Sequence, residues 1–393
     1  MITIFHSCRP RNCDRLHPAA CSSPHPPLPL NPRSLASGPA VIRIVLQSLL
    51  LIGLAAALAG CTGVGYYAES LNGHLRIMAA RKDVAGLVAD PATPEALRAR
   101  MASASAIRQF ASDALDLPDN RSYRTYVDIG RDYVTIAVYA APEFSLAPLA
   151  KCFPVFGCVP YQGFFSVENA RKAASELRGQ GHDVHVSGVT AYSTLGWSSD
   201  PLLSTMFRDD ETSLAALIFH ELAHQRVYVQ DDSGFNEAFA VAVETSGVRK
   251  WLSAAGDSEG LRRYEASRVR NADFLGLIAE ARKELHAVYS GPGDAAQKRA
   301  EKAAVIERLR QRHRQMRDRR WNGYSGFDAW FEAPINNARL AATSVYHDLV
   351  PAFLSLFELC AGDYPRFYAA VARIGAMDRA ERAGALEAAR SCG

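Results

Sequence analysis

Long hydrophobic runs are missing from this 393-residue chain. The longest, from about residue 44 to 58, is short for a helix that must cross a bilayer. No C-x-x-C pair occurs among its eight cysteines, which argues against a thiolate metal cluster. Internal repeats and low-complexity linkers are absent beyond residue 60, so nothing points to a repeat array. Glycine, aromatic and charged residues are present in ordinary amounts, which excludes disordered, collagenous and coiled-coil classes. A surplus of charge is also lacking. The formal +3 comes from five arginines in residues 1–60; the remainder has 39 basic against 40 acidic residues, a net charge of −1. Bulk electrostatics therefore give no support to a nucleic-acid partner. What the chain does have is apolar mass: at 48% hydrophobic it can bury a substantial core.

The first segment reads as an address. Arg43 precedes the apolar run, and Leu58-Ala59-Gly60-Cys61 follows it. This arrangement resembles a bacterial lipoprotein signal, in which cleavage precedes a lipidated cysteine. It implies lipidation at Cys61 and a place in the bacterial cell envelope, anchored to the membrane and facing the periplasm. Thr62, in the position where an aspartate would retain such proteins, favours the outer membrane. Residues 1–40, rich in proline and arginine, suit a start site assigned too far upstream, with Val41 as the initiator. Residues 1–60 are accordingly set apart as leader and signal.

Beyond the signal, four cysteines remain: Cys152, Cys158, Cys360 and Cys392. The segment between Cys152 and Cys158 contains proline and glycine and can turn, so a local disulfide is expected there; Cys360 with Cys392 is a further option. Residues 61–120 read as a helical N-terminal segment and 121–393 as the main domain. Within that domain, Tyr123–Ile129 and Tyr133–Tyr139 alternate as strands around Gly130, which predicts a hairpin. A helix is expected at about 167–178 and a strand at 182–189, with Val184 and Val186 facing the core. Residues 191–197 would form an extended cleft edge. Residues 261–321 predict a long helical hairpin broken at Ser290-Gly-Pro-Gly293, its arginine-rich second arm reading as a solvated, salt-bridged face. A helical stretch from Pro334 to about Phe357 should break or kink at Pro351.

The chemistry concentrates in Leu217-Ile-Phe-His-Glu-Leu-Ala-His-Gln225 and the nearby Phe235-Asn-Glu-Ala-Phe-Ala240. On a helix the histidines of H-E-x-x-H project from one face, where His220 and His224 can grip one zinc ion with Glu221 beside it. Twelve residues separate His224 from Glu237, enough for one helix to end, turn through Asp231–Gly234 and return. Glu237 would then complete a His₂Glu site, and Glu244, seven residues on, could bond His220 and fix its tautomer.

These residues resemble the gluzincin metallopeptidases, and among them the membrane alanyl-aminopeptidase group. The match lies in His-Glu-Leu-Ala-His-Gln, Asn-Glu-Ala-Phe-Ala and an acid seven residues later. The spacing here is about six residues shorter, and no Gly-x-Met-Glu-Asn amine-recognition stretch precedes the helix. A wider resemblance, through Cys152–Tyr161, Ala191–Trp197, Asp200–Leu203 and Asn336-Asn-Ala, is to a family of bacterial lipoproteins described as putative aminopeptidases. It implies an α+β, zincin-like fold: a small mixed sheet, the H-E-x-x-H helix, and a mostly helical C-terminal part that includes the hairpin.

The implied activity is peptide hydrolysis with one Zn²⁺ as cofactor. Zinc acidifies its water, Glu221 takes the proton as general base and passes it to the leaving amine, and a later tyrosine steadies the oxyanion. Tyr346 is the candidate for that last role; Asn336 and Asn337 could bond substrate main chain or cap a helix. An aminopeptidase must also hold a free ammonium, for which Glu168, Asp200 and Asp209 are available. Two alternatives stay open: an endopeptidase of the cell envelope, and a lipid-anchored binding protein of the same fold without turnover.

Overall fold

The structure, a computed structural model, describes residues 61–153, 157–191, 193–194, 198–343 and 349–392. The signal segment, Tyr192, Leu195–Trp197 and Tyr346 lie outside them. The chain divides into two compact units at residue 72. Of the first, only its part of helix α1 (Cys61–Ala79) is described.

The second unit is α+β, with small sheets and many helices. After α1 come β1 (Lys82–Asp83), α2 (Val84–Ala89) and a continuous α3 (Glu95–Leu115). Asp116 stops α3 in a left-handed conformation, φ 50°, a backbone region that aspartate tolerates. Strands β2 (Thr125–Val127) and β3 (Thr135–Pro142) follow, then the short ribbon β4 (Lys151–Phe153) and β5 (Gly157–Val159). Disulfide Cys152–Cys158 links that ribbon. Next come β6 (Gln162–Phe164), α4 (Val167–Gly179), β7 (His182–Val189) and β8 (Leu202–Leu203).

The expected β2–β3 hairpin does not form. Gly130 does adopt a left-handed turn, φ 65°, but the two strands enter different sheets. β2 pairs antiparallel with β1 and parallel with β8, while β3 pairs antiparallel with both β6 and β7. Arg131 holds the linker apart by donating to the carbonyls of Phe165 and Val134. Period-2 alternation identifies a strand and not its partner.

The β6–β3–β7 sheet is covered on both faces. Ala170 and Ala174 of α4 lie against one side. On the other, Ala137, Tyr139, Ala141 and Val189 pack on Ala338 of α10 (Asn337–Thr343). Val184 is buried as expected, but Val186, on the same face, is exposed.

The helical remainder begins with α5 (Glu211–Arg226) and α6 (Ser233–Ala254), which pack against each other at the centre. Asp210 and Asp232 cap them, accepting from the amides of Ser213 and Phe235. From Leu214 to His224 every residue of α5 except Ala216 is buried, so the helix is enveloped and not merely amphipathic. Phe110 of α3 meets Phe219, and Phe235 and Phe239 of α6 meet Phe353 of α11 (Val350–Leu359) and Phe367 of α12 (Tyr364–Gly375). Each such ring buried contributes roughly 1.5–3 kcal/mol. At Gly247 a Cβ would lie 2.8 Å from Leu115 and 2.9 Å from Phe219, so glycine is what lets α6 approach α5 and α3 this closely.

The hairpin is α7 (Ser258–Ser290) with α8 (Ala295–Arg319), packed on a second core around Phe274, Ile278, Leu285 and Leu309. Helix α9 (Asp328–Glu332) follows it. Pro351 lies in the first turn of α11, where a proline has no hydrogen bond to lose. Helix α13 (Arg379–Glu387) precedes Cys392, which is disulfide-bonded to Cys360.

Candidate metal centre

Two helices supply the site. His220 and His224 stand one turn apart on α5, and Glu237 lies in the first turns of α6. All three are buried, with one potential ligand atom from each within 4.8 Å of the others. The two Nε2 atoms are 3.2 Å apart. Glu237 places Oε2 3.3 Å from His220 and Oε1 3.6 Å from His224. Donors bound at about 2.0–2.1 Å to one tetrahedral zinc would sit about 3.3–3.4 Å apart, so the donor set fits that ion.

Behind the centre, Glu244 lies 3.1 Å from Nδ1 of His220. Nδ1 of His224 is buried and has no hydrogen-bond partner among the described residues, where Nδ1 of His220 has Glu244. Burial opposes charge on His220, but its bonds to Glu237 and Glu244 prevail and lift its pKa to about 10. His224 moves the other way, to about 4, through burial reinforced by His220. Glu237 is held ionised: burial works against its charge, and the two imidazoles outweigh it.

Glu221 is buried beside this trio. Burial pushes its carboxyl up to about 7; His220 opposes the shift, and Glu237 and Asp200 add to it. Of the three acids considered for an ammonium, Glu168 and Asp209 are exposed and Asp200 is buried close enough to Glu221 to raise its pKa. Yet the Asp200 oxygens are already engaged. They accept from the Thr194 amide at 3.0 Å, the Thr194 hydroxyl at 2.7 Å and the Ser193 hydroxyl at 3.2 Å. Asp200 is thus the internal pin of its own loop.

Tyr346 lies outside the described residues, as does most of the expected cleft edge. Asn336 and Asn337 make bonds within the fold, including the expected helix cap. Asn336 caps the amide of Arg339 and donates to Val184 O, while Asn337 donates to the carbonyls of Pro142 and Glu143 and accepts from Tyr289. They fasten α10 to the sheet and the hairpin.

Several contributors escape a reading by motif. Asn236 brackets Val229, accepting from its amide at 2.8 Å and donating to its carbonyl at 2.7 Å, which fixes the α5–α6 turn and with it Glu237. An Asn directly before the ligand was the available signal. Buried Arg108 donates to the carbonyls of Ser122, Pro118 and Asn120, and Asn120 in turn bonds Gln225 beside His224 at 2.7 Å. Tyr123, buried at φ 63°, donates its amide to Asp200 O. A left-handed tyrosine is strained, and no sequence pattern announces it.

Searches of curated proteins and of solved structures returned no match. A family model described as "putative aminopeptidase" matches residues 65–386, most of the chain, and the chain belongs to that family.

Proposed function

We propose that this protein is a zinc-dependent peptidase, an aminopeptidase, tethered by lipid on Cys61 to a membrane of the bacterial cell envelope and facing the periplasm. The reading rests on one observation above the others: His220, His224 and Glu237 converge in a buried cluster with Glu221 alongside. Family membership supports the peptidase class.

His220, His224 and Glu237 would hold one zinc ion. Bound there, zinc supplies a Lewis acid that polarises a scissile carbonyl and acidifies water. The remaining work falls to the chain. Glu221, shielded from solvent, takes a proton from the attacking water and returns it to the departing amine. Glu244 holds Nδ1 of His220, so that Nε2 is presented to the centre. A scaffold without turnover would have no use for a buried carboxylate in the Glu221 position.

Glu221→Gln is the direct test. It should lower kcat for peptide hydrolysis by roughly 10²–10⁴-fold while the chain keeps one zinc by elemental analysis. Cleavage at the wild-type rate would end this reading. Paired peptides with free and acetylated N-termini separate the two peptidase types: an aminopeptidase leaves the acetylated set intact, and equal cleavage of both makes the enzyme an endopeptidase.

A further inference from the structure

Helix α1 carries the two most exposed large hydrophobic side chains among the described residues, Leu71 at 60% and Leu75 at 55%. They are one turn apart and share a face. Exposed Ala68, Asn72, Arg76 and Ala79 complete it, with half-buried Glu69 beside Arg76 at its edge. The other side of the helix is committed elsewhere: Ile77 is buried, and a Cβ on Gly73 would fall 2.3 Å from the Phe165 ring. Helical geometry therefore puts Leu71 and Leu75 on the side of α1 opposite Gly73 and Ile77. Leaving two leucines in water is unfavourable unless something covers them.

The position of this face along the chain identifies what covers it. α1 begins at Cys61, with no linker between the proposed lipid attachment and the helix. At about 1.5 Å per residue, Leu71 and Leu75 sit about 15 and 21 Å along the helix from the anchor. No helix among the described residues is long and apolar enough to cross a membrane. An apolar face with a polar, charged flank suits the boundary between headgroups and acyl chains, and an acyl anchor with such a face makes two membrane signals.

We propose that α1 is a membrane-surface helix, its Leu71–Leu75 face seated in the lipid to which Cys61 is anchored. The inference rests on the lipoprotein reading and goes beyond it: the lipid becomes a docking surface for the fold as well as a tether.

The test uses the processed, acylated protein in vesicles of phosphatidylethanolamine and phosphatidylglycerol. Cys61 is acylated and the other four cysteines are in disulfides, so Leu71→Cys, Leu75→Cys or Val269→Cys each adds a single thiol for an environment-sensitive fluorophore. Val269, 53% exposed on α7, is the aqueous reference. Labels at 71 and 75 should be quenched by bromolipid and be roughly fivefold less accessible to iodide than the label at 269. As a check without a label, Leu71→Asn with Leu75→Asn should expose Arg76 to trypsin on vesicles where the wild type is protected. Equal iodide access at all three positions, or equal trypsin cleavage, overturns the proposal. Mass spectrometry of the N-terminal peptide keeps the two readings apart. An unmodified Cys61 defeats the anchor and this inference together; an acylated Cys61 with both labels in water defeats the inference alone.

Discussion

Two antiparallel helix pairs dominate the molecule, and they handle charge in opposite ways. At the heart of α5–α6 the ionisable groups are few and mutually dependent: His220, Glu221, His224 and Glu237 are buried together, and half-buried Glu244 bonds His220. In α7–α8 they are many, solvated and interchangeable. Arg308 and Arg312 both reach Glu284, Arg314 pairs with Glu307, and Arg320 pairs with Asp273. A carboxylate in the first pair is a fixed part of a site, because burial makes an unmatched charge expensive. In the second pair it is one of several exchangeable partners, each worth little in water. The same residue types become machinery or surface according to what surrounds them.

The sharpest way to break the contrast is at the edge of the buried set. Glu244→Ala leaves Nδ1 of His220 without its partner and should weaken zinc affinity by about 10–100-fold, measured by chelator competition. An unchanged affinity would mean that His220 is oriented by packing alone. Next in size is Gly247→Val, which forces a branched side chain against Phe219 and Leu115. It should cost roughly 1–3 kcal/mol in denaturant unfolding. The smallest effect belongs to the hairpin: Arg312→Ala removes pairs to Glu284 and Glu280 on a partly exposed face and should cost about 0.2–1 kcal/mol, with peptidase activity unchanged. A loss there as large as at Gly247 would erase the distinction drawn between the two pairs.

The contrast also explains how much could be read in advance. Helices, the α7–α8 break and the spacing of His220, His224, Glu237 and Glu244 are properties of short windows, and short windows carry them well. Partner choice is not local. β2 closes a parallel pairing with β8, some 75 residues away, and no alternation within Tyr123–Ile129 could reveal that. The supports of the site are hidden for the same reason. Arg108, Asn120 and Tyr123 act through contacts set by tertiary approach, and each looks ordinary in its own stretch. For Asn336 and Asn337 the sequence left two readings open, and Asn336 does cap the helix that starts there.

The Cys360–Cys392 bridge has a consequence of its own. It ties the end of α11 to Cys392, beyond α13, closing α12 and α13 into a covalent ring. A single cut anywhere between residues 361 and 391 leaves the polypeptide in one piece. The aromatic side chains that α12 places against α6, Phe367 and Tyr368 on Phe239, stay tethered to their docking surface after such a nick. For a protein proposed to work among peptidases outside the cytoplasm, the C-terminal helices would then survive damage that would shed an unbridged tail.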